Sequence, residues 1–151
     1  MSQPKLPLDG ACRCGRVKIR ISAPPLITMA CHCTGCQRMS GSAYSLSAAI
    51  PTEGFAVIEG EPVVACANAE AGHHFCPDCM TWMFTRPAGL DFFVNVRPTM
   101  LEETGWYSPF IETYTSEKLA WATTPAEHSY EKFPEMDDFG PLLGAYAARS
   151  A

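Results

Sequence analysis

The sequence predicts a mainly β domain of short strands and turns, organised around cysteine metal sites. Three observations carry that expectation. Gly 11 and Pro 13 punctuate 151 residues too often for long helices. Val17, Ile19 and Ile21 alternate with Lys18 and Arg20, the period of two of a half-buried strand. Seven of the 8 cysteines fall into three clusters, Cys12-x-Cys14, Cys31-x-Cys33-x-x-Cys36 and Cys76-x-x-Cys79, which are ligand spacings. A length of 151 residues suits one domain. It is also enough for a core without disulfide staples.

The elements follow in order. The strand over 17–21 ends at Pro24 and Pro25, and an extended stretch over 26–33 leads into a turn at Thr34-Gly35. Further strands are expected over 44–50, 55–58, 63–66, 81–85, 92–96 and 111–115. Gly41, Pro51, Gly54, Gly60, Pro62, Pro87, Gly89 and Pro98 bound them. Residues 100–103 read as a helical turn, 136–141 as a loose connection and the Ala-rich 142–148 as a short helix.

Composition narrows the class. Hydrophobic residues make up 47% and charged residues 18%, a globular and not a disordered balance. A net charge of -5 disfavours a general nucleic-acid binder. No apolar run reaches the roughly 18 residues of a membrane span. No apolar signal-peptide core stands in the first residues, so a cytoplasmic protein is expected. In that setting cysteines read as metal ligands before disulfides. The charge is uneven: residues 1–46 carry six basic side chains against Asp9 alone, and the rest is strongly acidic. Five of the eight cysteines lie in the basic segment.

The cysteines carry the chemistry. In an extended chain, residues i and i+2 share a face, so Cys12 and Cys14 can reach one metal, and so can Cys31 and Cys33, with His32 turned away. Pro77-Asp78 and Thr34-Gly35 suit knuckles that curl the backbone around an ion. Thiolates are soft donors, and tetrahedral sulfur sites point to zinc before iron. Cys12, Cys14, Cys76 and Cys79 together make a closed four-sulfur site, which is structural. Cys31, Cys33 and Cys36 supply three ligands, the pattern of a catalytic zinc with one open position. Cys66 either closes that position or is a small buried hydrophobe.

Gly10-Ala-Cys-Arg-Cys-Gly-Arg-Val17, Cys31-His-Cys-Thr-Gly-Cys-Gln-Arg38, Ser40-Gly41 and Phe75-Cys-Pro-Asp-Cys79 resemble the glutathione-dependent formaldehyde-activating family, which includes centromere protein V. The resemblance runs from about Gly10 to Pro134 and is weaker at Leu119-Ala-Trp121 and Phe133-Pro134. It implies several coiled antiparallel sheets, like those of the zinc-containing Rab nucleotide-release factor. It implies a zinc-binding domain over 1–135 with a C-terminal tail over 136–151. It implies two zinc ions per chain: a structural one on Cys12, Cys14, Cys76 and Cys79, and a catalytic one on Cys31, Cys33 and Cys36. The implied activity joins formaldehyde to glutathione as S-(hydroxymethyl)glutathione, a carbon–sulfur lyase in reverse. Met80 stands where the family usually has glycine, and Glu112 lies on a strand near which relatives often carry histidine.

A zinc with three thiolates carries a formal charge of -1 and is a weaker Lewis acid than one on three imidazoles, so it suits an incoming thiol better than water. The thiolate is the nucleophile. Arg16, Arg38 and Lys18 are candidates for holding the carboxylates of glutathione or a similar small thiol. Gln37 is a candidate hydrogen-bond donor to a sulfur or a substrate amide. His32, between two ligands, suits a supporting role. His128 reads as solvated, and Trp82, Phe84, Trp106, Tyr107 and Trp121 read as core before substrate wall. The alternative to an enzyme is a zinc module that binds a protein partner.

Overall fold

The computed structural model describes residues 2–149, with only the backbone at 66–68. Eleven strands follow one another: β1 (Leu8–Ala11), β2 (Lys18–Ile21), β3 (Ile27–Cys31), β4 (Ser45–Pro51), β5 (Phe55–Glu59), β6 (Val63–Val64), β7 (His73–Phe75), β8 (Trp82–Thr85), β9 (Phe93–Val96), β10 (Ile111–Thr113) and β11 (His128–Ser129). Two α-helices join them, α1 (Thr34–Ser40) and α2 (Met136–Arg149). The mainly β expectation holds.

The strands form two sheets. A three-stranded antiparallel sheet runs β1-β2-β5, and an eight-stranded sheet runs β11-β10-β3-β4-β9-β8-β7-β6. The larger sheet is mixed: β10 lies parallel to both β3 and β11, and its remaining pairings are antiparallel. β3 and β10 are far apart in sequence, and the long connection between them lets two strands enter in the same direction.

The alternation over 17–21 does what its period requires. Ile19 and Ile21 are fully buried, while Lys18 pairs with Glu59 at 3.0 Å and Arg20 with Asp9 at 2.6 Å on the outer face. One core fills the space between the sheets, with Val17, Ile19 and Ile21 facing Met83, Phe84, Val94 and Val96. A second lies on the larger sheet, where α2 lays Leu142 and Tyr146 against Ile27, Phe110 and Ile111.

Four readings change. The Thr34-Gly35 turn is the first turn of α1, because the Cys33 sulfur accepts from Cys36 N–H and caps it. The connection over 136–141 is already helical, with Pro141 inside α2. Residues 98–100, just before the expected helical turn, form a single 3-10 turn, and Leu101 bridges to Gly10. His128 is half-buried in β11, edge-on to Phe110 at 4.9 Å. β1, β7 and β11 lack an alternating apolar pattern, and pairing with β2, with β6 and β8, and with β10 makes them strands.

Candidate metal centre and adjoining cleft

Cys12 and Cys14 follow β1 of the small sheet, and Cys76 and Cys79 follow β7 of the large one. The fold brings the four sulfurs within 4.8 Å of one another. Cys12 lies 3.5 Å from Cys14, and Cys14 lies 3.8 Å from Cys76. These separations are far from the ~2.05 Å of a disulfide. They match the edge of a tetrahedron built on ~2.3 Å zinc–sulfur bonds, about 3.8 Å. Cys12 and Cys76 are buried in the core between the sheets, so an ion held here would clasp the two sheets together.

Local backbone builds each half of the clasp. Val17 N–H donates to the Cys12 sulfur at 3.3 Å, and Cys12 N–H to Val17 carbonyl at 3.0 Å. Met80 N–H returns to the Cys76 carbonyl at 3.0 Å, closing the knuckle. That closure puts Met80 at φ 59, the left-handed region that glycine enters most easily. The glycine expected there from the resemblance thus has a backbone reason. The Thr81 hydroxyl, 3.2 Å from the Cys79 sulfur, is the main cause holding Cys79 down at about 5.

The second cluster lies at the end of β3. The sulfurs of Cys31, Cys33 and Cys36 lie within 4.8 Å of one another, and no fourth Cys, His, Asp or Glu joins them among the described residues. The side chain of Cys66 lies outside the described residues. Cys36 N–H donates to the Cys33 sulfur at 3.3 Å. Contact with Cys36 lowers the Cys31 thiol to about 5, while Cys31 and then burial push Cys36 up. Three sulfurs this close do not ionise together without a cation, and the donor set fits a soft divalent metal.

His32 sits inside this loop but faces the core. Its Nε2–H donates to Glu112 Oε2 at 2.8 Å, and its ring stands edge-on to Tyr44 at 5.3 Å. Glu112 also accepts from Thr124 at 2.8 Å and Ser129 at 2.6 Å. Burial pushes its carboxyl up, but the hydrogen bonds from Ser129, His32 and Thr124 prevail and hold it below the usual value. The backbone between Cys31 and Cys33 is therefore tied to β10 and β11.

The polar residues singled out in the sequence lie in different surroundings. Arg16 is exposed and 3.7 Å from Asp78, and Lys18 pairs with Glu59. Gln37 donates to the carbonyls of His32 at 2.7 Å and Glu117 at 3.0 Å, so its amide clamps the loop. Arg38 is exposed beside a shallow depression shared with Leu119 and Trp121. Phe84 and Trp106 are core, but Trp121 is 75% exposed and Trp82 lines a cleft. That cleft, about 400 Å³, is lined by Met80, by Ser45 and by the end of α1. Arg97 lines it and was not among the sequence candidates. It stands outside every cysteine motif, and only folding brings it to the cleft.

A family model described as "Glutathione-dependent formaldehyde-activating enzyme" matches residues 7–117. Proteins of Penicillium rubens and Talaromyces marneffei, both named "Putative glutathione-dependent formaldehyde-activating enzyme", are 26% identical over 124 and 113 residues. The matches cover 77% and 70% of this chain, and 63% and 59% of those proteins. The chain thus spans about three fifths of the length of these relatives. A crystal structure of a Rhodobacter sphaeroides protein aligns with a TM-score of 0.49 at 22% identity, covering 62% of this chain and 87% of that one.

Proposed function

This chain belongs to the glutathione-dependent formaldehyde-activating enzyme family, and from that premise we propose that it is a zinc-dependent carbon–sulfur lyase acting on the adduct of a small thiol, such as glutathione, with formaldehyde. The observation that carries the reading is the pair of unequal clusters, four sulfurs where the two sheets meet, with Cys12 and Cys76 buried, and three at the end of β3. Cys12, Cys14, Cys76 and Cys79 would hold one structural zinc. Cys31, Cys33 and Cys36 would hold a second with a position left for substrate. Zinc bound there would supply a place where a thiol is kept as its nucleophilic thiolate.

The chain's own residues set the conditions. The Cys36 N–H bond to Cys33 and the Gln37 clamp fix the spacing of the three sulfurs. The His32–Glu112 pair holds the loop from behind, with the imidazole fully buried. In the forward sense the thiol sulfur bonds to the carbonyl carbon, the C=O π pair moves to oxygen, and the thiol's proton completes the hydroxyl. The lyase direction reverses each of these changes.

Cys33→Ser tests the reading. It should lose one of two zinc equivalents and at least 99% of the activity on S-(hydroxymethyl)glutathione, while keeping the fold. A one-zinc variant that stays active would overturn it. Cys66→Ala should keep both zinc ions and the activity. Loss of a zinc in that variant would mean a closed second site and would favour a protein-binding zinc module instead.

A further inference from the structure

Arg97 is a cation at the edge of the cleft with no carboxylate paired to it among the described residues. Its guanidinium donates to the Leu46 carbonyl at 2.9 Å and to the Thr85 hydroxyl at 3.2 Å, and it stacks on Trp82 at 3.8 Å. Those acceptors are neutral and take only two of the five N–H donors an arginine carries. Its Nε is sealed from solvent without a partner, and among the described residues no carboxylate forms an ion pair with it. Buried charges are ordinarily paired. Burial pulls the guanidinium down to about 10, with Cys36, Tyr107 and Cys31 acting the other way, so it remains charged near neutral pH.

Its surroundings connect it to the three-sulfur cluster. Ser45 lines the same cleft and is the cross-strand partner of Cys31. Ser40, also on the cleft, donates to the Cys36 carbonyl at 2.7 Å. Arg97 follows β9, two strands from β3, which is about 10 Å across the sheet, and its bond to Leu46 brings it back over β4. A molecule of peptide size can span that gap with its sulfur at the cysteines. Ser42, Tyr44 and Thr99 add hydroxyls to the wall, and Met80 and Trp82 add apolar surface.

We propose that Arg97 is the carboxylate anchor of this cleft, selecting thiols that carry a carboxylate within about 10 Å of the sulfur. The proposal rests on the functional reading above and deepens it. A carboxylate gives Arg97 an anionic acceptor for donors that Leu46 and Thr85 leave free, and an arginine–carboxylate pair fixes orientation as well as affinity. Arg97 in this way takes the role that sequence reasoning gave to Arg16, Arg38 and Lys18.

Calorimetric titration of the zinc-loaded protein tests it. S-methylglutathione, whose blocked sulfur isolates the carboxylate contact, should bind about 10- to 100-fold more tightly than its dimethyl ester. Arg97→Gln should abolish that preference, and Arg97→Lys should keep part of it. Equal binding of acid and ester to the wild-type chain overturns the proposal without any variant, and so does a preference that survives in a folded Arg97→Gln. Zinc-edge spectroscopy with 2-mercaptoethanol, which has no carboxylate, reads the other arm. If neither that thiol at saturation nor glutathione enters the three-sulfur site, the functional reading falls, whatever the acid and ester show.

Discussion

At the scale of single residues, Met80 is the clearest case of a side chain working against its backbone. The knuckle from Cys76 to Thr81 needs a left-handed residue to return Met80 N–H to the Cys76 carbonyl. A side chain there costs roughly 1–2 kcal/mol, and glycine's greater freedom in the unfolded chain returns about half of the difference. Met80→Gly should therefore stabilise the metal-loaded protein by about 0.5–1 kcal/mol in urea unfolding. Met80 is 60% exposed, so little packing is lost. A destabilised variant would mean that its contacts over the cleft outweigh the strain.

At the scale of elements, Glu112 is the joint between β3, β10 and β11. Its carboxylate accepts from His32, Thr124 and Ser129, which belong to three separate segments. Because its folded value lies below the ordinary 4.5, its contribution is complete above that pH and is lost as pH falls through the lowered value. Glu112→Gln replaces an acceptor oxygen with an amide donor facing donors. The variant should be less stable by about 1–3 kcal/mol at pH 7. The gap to wild type should narrow below pH 4.5, in paired denaturation curves between pH 7 and pH 3. A gap independent of pH would assign Glu112 a packing role only.

At the scale of the whole molecule, the two cysteine clusters have unequal structural weight. The four-sulfur cluster joins the sheets across their shared core, whereas the three-sulfur cluster lies at one end of β3 beside a short helix. Removing metal with a chelator should therefore cost about 3 kcal/mol or more. That corresponds to roughly 10 °C in scanning calorimetry at ~3 °C per kcal/mol. Cys76→Ser should reproduce most of that loss, and Cys33→Ser only a small part. Equal losses would mean that both sites hold the fold together. Among the described residues, no helix is long and apolar enough to cross a membrane.

The sequence by itself determined the cysteine clusters, the strand at 18–21 and the class of fold, because ligand spacing and side-chain alternation are local properties. It did not disclose β1, β7 or β11, whose residues become strands through pairing with the strands next to them in the chain. Nor did it show that Gln37 is spent on two carbonyls, since Glu117 is 80 residues away. Tertiary structure alone decided which basic residue meets the cleft. Arg16 has Asp78 and solvent, while Arg97, just after β9, lines the cleft. Charge in a sequence marks what a residue can bind, but burial and the neighbours that folding supplies decide what it is left free to bind.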